Sequence, residues 1–187
     1  MSKYAKEKLI KHYQTELGKM LSDADIERNL GKNCIIKYSD LADYNNINEL
    51  LPNDKSFKVI LVESKMNAGH WVCVMKYKNV IEYFSSYGTL PEYDFKFIPT
   101  YIKHLLGQGG NLLTKLLKTK EPNQQIYYNK KHLQKINDGI NTCGRWSVCR
   151  IWAMLCGYEL DDFIEKCEEK KKETGKPYDI LVCDWVK

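Results

Sequence analysis

The segment CGRWSVCRIWAMLCG, residues 143–157, constrains the fold of this chain more than any other segment. Its apolar side chains lie nearly all round a helical projection, and Gly157 ends the pattern. A helix that is apolar on every side is stable only where other elements cover it. We therefore expect a central, buried helix over 143–157 with the rest of the chain packed around it.

The middle of the chain is rich in strand patterns. Residues 57–64 form a short apolar run with many β-branched side chains, which is typical of a strand. Residues 70–77 and 80–84 are separated only by Lys78 and Asn79, a break that predicts a β-hairpin. Two further stretches, 124–134 and 178–186, also predict strands.

Helical patterns fill most of the remaining chain. Apolar spacing predicts an amphipathic helix over 3–20, and Ser22 or Asp23 starts a second helix that Gly31 ends. These strands and helices predict one α+β domain over 1–187, with N-terminal helices in 1–32 and a catalytic core in 33–187. The other predicted elements are a short helical stretch from Ser39 to Leu51, helix over 97–117 broken at 107–111, a surface helix over 159–172, and loops over 85–93 and 136–141.

Composition favours a globular protein that works in a reducing compartment. Of the 187 residues, 43% are hydrophobic, enough for one real core, and no apolar run is long enough for a membrane span. The N-terminus lacks the apolar core of a signal peptide, and the seven cysteines include no CxxC pair. We therefore expect reduced thiols, no metal or other cofactor, no membrane partner, and a monomer in the cytosol or nucleus.

Positive charge gives little support for a nucleic-acid partner. The net charge is 29 − 24 = +5, with lysine scattered along the chain. The one dense run, Lys166 to Lys172, contains Glu168 and Glu169, which favours a solvated helix face over a DNA groove.

Cys143 has the sequence context of a nucleophile. It follows a polar loop and opens the apolar helix, so unpaired backbone N–H groups and a partial positive charge surround its sulfur. Both favour the thiolate, and the same N–H groups can donate to a developing oxyanion. Gly144 is expected to leave the space beside the sulfur open for a substrate carbonyl. A structural cysteine at a helix start is the equally weighted alternative.

His70 is the candidate base. It begins an apolar strand after Gly69, a position that holds an imidazole on a fixed platform, and the bulky Trp71 beside it can shield a site from water. A third group usually orients such an imidazole. At the end of the neighbouring strand the chain offers Ser85 or Ser86, with Glu82 three residues before Ser85 on the opposite strand face.

The segment GHWVCVMKYKNVIEYFSSYG, followed some 50 residues later by the NTCG helix, resembles the adenovirus-protease and SUMO-protease superfamily of cysteine peptidases. The resemblance covers roughly residues 35 to 157 and implies that fold, with a central mixed sheet packed on the helix that begins at the nucleophile. It implies that His70 is the catalytic histidine, Cys143 the nucleophile, and Trp71 and Gly144 substrate-binding neighbours.

The resemblance also implies an oxyanion-hole glutamine and an acidic third residue. Gln134 matches the glutamine, with Asn137 and Asn141 as substitutes if the register shifts. The acidic position falls on Ser85, whose hydroxyl carries no negative charge and makes it a weak third member. The alternative is that Glu82 or a distant carboxylate has taken over that role.

Within the superfamily the chain most resembles the maturation proteases of virophages and large double-stranded DNA viruses. That resemblance implies a thiol endopeptidase that cuts capsid or other virion precursors at small, Gly-containing sites, in the viral factory of the host cytoplasm and in the virion. A deconjugase for ubiquitin-like proteins, a catalytically impaired binding module and an acyltransferase are the alternatives. DNA is not indicated as a partner by any residue.

Overall fold

A five-stranded mixed sheet runs through the protein, which the computed structural model describes from residue 2 to residue 187. The spatial order of the strands follows the chain. The three central strands form an antiparallel meander, and each edge strand is parallel to its neighbour. The strands are β1 (Ile35–Lys37), β2 (Phe57–Lys65), β3 (Ala68–Tyr77), β4 (Val80–Phe84) and β5 (Gln125–Tyr128).

Helices cover both faces of this sheet. The largest group, which includes the predicted central helix, packs on one face, and shorter helices pack on the other. The helices are α1 (Lys3–Gly18), α2 (Asp23–Leu30), α3 (Ile47–Leu50), α4 (Thr100–Leu105), α5 (Leu112–Lys118), α6 (Cys143–Leu155), α7 (Leu160–Thr174) and α8 (Tyr178–Trp185), with 3-10 turns at Tyr38–Asp43 and Tyr93–Phe97. No helix within residues 2–187 is long and apolar enough to cross a membrane.

Alternation along β3 divides the interior into two cores. Trp71 and Cys73 point to the face that α6 covers, whereas Val72 and Val74 point to the face that α3 and α5 cover. Trp146 and the other inward side chains of α6 are buried, whereas Trp152 and Ala153 on its outer side are only half-buried. The predicted α+β class, with a mixed sheet packed on a buried helix that begins at Cys143, is confirmed.

The N-terminal helices are joined to the rest by buried polar contacts. The Arg145 guanidinium donates to the Lys19 carbonyl at 2.7 Å and to the Glu16 carboxylate at 2.9 Å. The indole Nε1 of Trp71 donates to the Leu21 carbonyl at 3.2 Å. The end of α1 and the link to α2 therefore lie directly against the start of α6.

The predicted strand over 178–186 is wrong, because this segment is helix α8. A short apolar run has no periodicity that separates a buried strand from a buried helix. Tyr178 and Trp185, seven residues apart and thus on one helical face, both pack against Trp146, with ring centroids 6.4 Å and 6.2 Å away. Pro177 precedes the helix and Asp179 lies in its first turn, which are positions that favour a helix start.

The predicted strand over 124–134 is also too long, because β5 ends at Tyr128. The side chain of Asn129 turns the chain away from the sheet by donating to the carbonyl of Ser85 at 2.7 Å. The backbone after it crosses the loop that follows β4 so closely that a Cβ at Gly88 would lie 2.9 Å from Lys130. Gln134 is therefore on a loop held against another loop.

Candidate active site

The open end of β3 creates the site. The last strand partner of β3 on the β4 side is the pair Cys73 with Phe84, so His70 lies three residues beyond the end of β4. Beyond the end of β4, the loop that follows β4 and the loop that precedes α6 lie beside β3. A cavity of about 370 Å³ opens there. It is lined by Met20, Val62, Ser64, Lys65, Ala68, Gly69, His70, Tyr87, Thr89, Tyr93, Asp94, Phe97, Ile98, Gln134, Ile136, Asn141 and Cys143.

The structure brings together four of the predicted site residues. His70, Gln134 and Cys143 line this one cavity, although they lie on β3, a loop and α6. Ser85 lies behind His70, with its Oγ 3.3 Å from His70 Nε2. Residues separated by up to 73 positions in the chain, from His70 to Cys143, therefore share one site.

Cys143 is buried at the first turn of α6, with a 5% exposed side chain that faces the cavity. Burial raises the pKa of the Cys143 thiol, while hydrogen bonds from the backbone N–H groups of Trp71, Gly144 and Cys143 itself lower it. Burial is the larger effect. The backbone N–H groups at the helix start therefore favour the thiolate as expected, but the net direction of the pKa shift is upward.

His70 is held on two sides. The Tyr87 ring stacks on the imidazole, with centroids 4.3 Å apart and planes at 11°. Its Nε2 is 3.3 Å from Ser85 Oγ and 3.9 Å from Asp94 Oδ2. Its Nδ1 is buried and has no hydrogen-bond partner among residues 2–187. The ring therefore has one nitrogen engaged and one nitrogen free for chemistry.

Neither Tyr87 nor Asp94 was identified from the sequence. Tyr87 precedes Gly88 in the loop after β4, where an aromatic residue carries no distinctive pattern. Asp94 is an acidic residue between aromatic side chains in YDFKF, and this contrast is the only local signal of a buried carboxylate. Glu82, the other acidic candidate, is fully buried on the opposite sheet face, where it pairs with Arg150.

Gln134 is fixed by its amide. Its Oε1 accepts from the Ser86 hydroxyl at 2.8 Å, and its Nε2 donates to the Ile140 carbonyl at 3.0 Å. A longer contact of 3.4 Å joins the same Nε2 to the Tyr87 hydroxyl. Of the two substitutes, Asn141 lines the cavity but donates its amide to the Gly18 carbonyl, and Asn137 is exposed outside the cavity. Both amides that line the cavity are held by hydrogen bonds, and Gln134, the more buried of the two, stays the predicted oxyanion-hole amide.

Trp71 and Gly144, the predicted substrate-binding neighbours, lie beneath the site and outside the cavity lining. Trp71 is 3% exposed and is not part of the cavity wall. A Cβ at Gly144 would lie 3.1 Å from Leu21 Cβ and 3.2 Å from Trp71 Cδ1. The glycine therefore allows the start of α6 to pack closely on Trp71, and its open side faces the core.

The loop before α6 is tied to α8. Asp179 accepts a hydrogen bond from the Thr142 hydroxyl and another, of 3.0 Å, from the backbone N–H of Lys135. These two contacts fix both ends of the loop between Gln134 and Cys143. Within residues 2–187 no group of three or more His, Cys, Asp or Glu side chains is arranged to hold a metal ion.

Comparison with known proteins relates this chain to a viral protein. No protein-family model matches the chain. Over 148 residues it is 37% identical to Uncharacterized protein V9 of the Sputnik virophage, an alignment that covers 78% of this chain and 83% of that protein. The chain belongs to the family of that virophage protein. V9 family membership supports the predicted viral origin, and the name of V9 states no activity.

The stability of the fold at mildly acidic pH is expected to depend on His70. Burial lowers the pKa of His70 from 6.5 to about 3. A lowered folded pKa stabilises the fold above 6.5, and this contribution is lost as pH falls towards 3. Between pH 7 and pH 5 we expect the wild type to lose about 2 kcal/mol more unfolding free energy than a His70→Gln variant. Urea unfolding at several pH values measures this difference.

Asp94 acts in the opposite direction over a similar range. Burial raises the pKa of Asp94 from 3.8 to about 6. Its contribution to stability is present below 3.8 and is lost as pH rises through 6. Since the wild type and the His70→Gln variant both contain Asp94, its contribution largely cancels in the difference. A difference between the two proteins that is the same at pH 7 and pH 5 would contradict a neutral His70 in the folded state.

Proposed function

We propose that this member of the V9 family is a cysteine endopeptidase in which Cys143 is the nucleophile and His70 the general base. The observation that carries the proposal is the convergence of His70, Gln134 and Cys143 on one cavity from three distant parts of the chain. The free, buried Nδ1 of His70 is the nitrogen assigned to the sulfur. A buried polar nitrogen without a partner is uncommon in a folded protein, and a role in proton transfer accounts for the one on His70.

The reaction begins from a neutral pair. Since burial raises the pKa of Cys143 and lowers that of His70, the thiol proton moves to Nδ1 only as the sulfur attacks the substrate carbonyl carbon. The new C–S bond leaves a negative charge on the carbonyl oxygen. Backbone N–H groups at the start of α6 and the amide Nε2 of Gln134 are the proposed donors to that oxyanion.

The second half of the reaction releases both products. The oxyanion collapses, the scissile C–N bond breaks, and the leaving amine takes the proton from Nδ1. His70 then removes a proton from water, whose oxygen attacks the thioester carbon. The C–S bond breaks, the acid leaves, and the proton returns to the sulfur. No step requires a metal or an organic cofactor.

The proposed substrates are capsid or other virion precursor proteins, cut at small, Gly-containing sites during virion maturation. Viral family membership supports this class over cellular targets. The proposed places of action are the viral factory in the host cytoplasm and the virion. A deconjugase for ubiquitin-like proteins is the alternative enzyme, and a peptide fused to ubiquitin through Gly-Gly is the probe that separates the two.

Alkylation by iodoacetamide tests the Cys–His pair without a known substrate. Cys156 is exposed and free, so it serves as an internal reference thiol. Peptide mapping should show that His70→Ala slows alkylation of Cys143 by at least about tenfold and leaves Cys156 unchanged. If Cys143 reacts equally in both proteins, His70 does not activate it, and the binding-module alternative is favoured.

A further inference from the structure

The position that orients His70 by family resemblance holds a side chain without charge. Ser85 Oγ is 3.3 Å from His70 Nε2, accepts from the backbone N–H of Tyr87 at 3.3 Å, and is 3.1 Å from Thr89 Oγ1. Such a hydroxyl can fix which nitrogen of His70 carries the proton. It supplies no negative charge to the imidazolium that forms when Cys143 gives up its proton.

A carboxylate reaches the same nitrogen from a different loop. Asp94 Oδ2 is 3.9 Å from His70 Nε2, and the Asp94 side chain is only 18% exposed. It lies on the 3-10 turn Tyr93–Phe97, nine residues after Ser85, and it lines the cavity with His70 and Cys143. This distance is too long for a hydrogen bond, so the charge of Asp94 acts on His70 by electrostatic attraction. The low solvent exposure of Asp94 weakens the screening of that attraction by water and salt.

The turn that carries Asp94 is anchored on both sides. Glu92 adopts a left-handed backbone conformation with φ 58°, which is uncommon for a residue with a side chain. Its carboxylate accepts from the Tyr38 hydroxyl at 2.7 Å and from the backbone N–H of Thr114 at 3.0 Å. Phe95 is buried with its ring 4.9 Å from that of Tyr38. Asp94 therefore sits between two fixed neighbours and is held towards His70.

We propose that Asp94 is the positioning carboxylate of the Cys143 and His70 pair, displaced from the strand end at Ser85 to the following turn. The proposal rests on the proposed function and specifies its third residue. Ser85 accepts the Nε2–H of His70 and so leaves the Nδ1 lone pair to take the thiol proton. Asp94 supplies the negative charge that stabilises the resulting imidazolium.

The rate at which iodoacetamide alkylates Cys143 tests the effect of the Asp94 charge. In that reaction the Cys143 proton passes to His70 Nδ1, a C–S bond forms, the C–I bond breaks and iodide leaves. Asp94→Asn removes the charge with little change in shape. We expect it to slow alkylation of Cys143 about 10- to 100-fold, less than the roughly 10⁴-fold loss for a carboxylate hydrogen-bonded directly to a catalytic histidine. Alkylation of Cys156 should be unchanged in this variant. The control variant Asp138→Asn, at an exposed position, should leave alkylation of Cys143 unchanged.

Rescue at position 85 separates a charge effect from a structural one. Ser85→Asp in the Asp94→Asn background places a carboxylate beside the same Nε2, and alkylation of Cys143 should recover to within about tenfold of the wild type. Ser85→Asp alone should slow the reaction, because two like charges would then share a buried site. An absence of recovery in the double variant would overturn the assignment of Asp94.

A surface variant tests the same carboxylate without touching it. The exposed Lys96 lowers the pKa of Asp94, so Lys96→Met should raise that pKa. Protonation of Asp94 at acidic pH should slow alkylation of Cys143, and in Lys96→Met this slowing should begin at a higher pH. Methionine keeps most of the apolar stem of lysine. An acid loss that stays in place would count against Asp94. The titratable or charged groups that interact with Asp94 are Lys96 on its own turn, His70 on β3, Tyr83 on β4, Tyr87 and Cys143, and the carboxylate of the neighbouring Glu92 is bonded to Tyr38.

The outcomes distinguish this inference from the proposed function. If His70→Ala slows Cys143 while Asp94→Asn and Lys96→Met change nothing, the Cys–His pair stands and Asp94 is not its third residue. If His70→Ala has no effect, the proposed function fails, and the inference fails with it. Thermal unfolding of every variant shows whether a loss of reactivity reflects a loss of fold.

Discussion

Replacing Cys143 with alanine is expected to abolish peptide-bond cleavage and leave the fold intact. Removal of a catalytic nucleophile alone costs roughly as much as removal of the whole catalytic group, so we expect a loss of at least about 10⁴-fold. Only the sulfur atom is removed, from a side chain that lines an open cavity, and we expect the free energy of unfolding to fall by about 1 kcal/mol or less.

A peptide library prepared from a digested proteome gives the measurement, since no substrate sequence has to be assumed. Mass spectrometry should find new termini next to small residues with the wild type, and none with Cys143→Ala. Cys149→Ala, which changes a half-buried cysteine further along α6, is the matched control and should cleave normally. The same set of cleavages by Cys143→Ala would exclude this residue as the nucleophile.

The sequence identified those parts of the fold whose patterns are local. The apolar surface all round 143–157 predicted α6, and alternation in 70–77 predicted β3 and its hairpin partner, because burial imposes these periods directly. Helix α8 was missed, because its helical state follows from packing of Tyr178 and Trp185 on Trp146. Packing against residues that are distant in the chain produces no recognisable sequence periodicity within an eight-residue segment.

The candidate site shows the same division. His70 and Cys143 could be selected because His70 lies near the start of β3 and Cys143 is the first residue of α6, where the local sequence sets the backbone geometry. Asp94 could not, since it reaches His70 through a turn that Glu92 and Tyr38 hold in place from another part of the chain. Family resemblance pointed to position 85, and no local pattern in the sequence indicates that a carboxylate nine residues later lies near His70.

Loss of the buried Glu82 carboxylate is expected to produce the largest drop in stability. Glu82 on β4 accepts two hydrogen bonds from the Arg150 guanidinium on α6, of 2.8 Å and 2.7 Å, and a third of 2.7 Å from the Tyr77 hydroxyl. Both charged side chains are 0% exposed. Glu82→Ala leaves the guanidinium buried without a counter-charge, so the free energy of unfolding should fall by about 3–5 kcal/mol.

The double variant Glu82→Leu with Arg150→Met identifies the cause. It removes both charges and keeps apolar volume, so it should be less destabilised than Glu82→Ala, because much of the loss arises from an unpaired buried charge. Glu169→Ala breaks the exposed pair with Lys166 on α7 and should change stability by no more than about 0.5 kcal/mol. Urea unfolding measures all three variants. A double variant less stable than Glu82→Ala would show that the ion pair itself stabilises the fold.

The ion pair joins β4, which leads to Ser85, to α6, which begins at Cys143. Glu82→Ala should therefore also slow alkylation of Cys143.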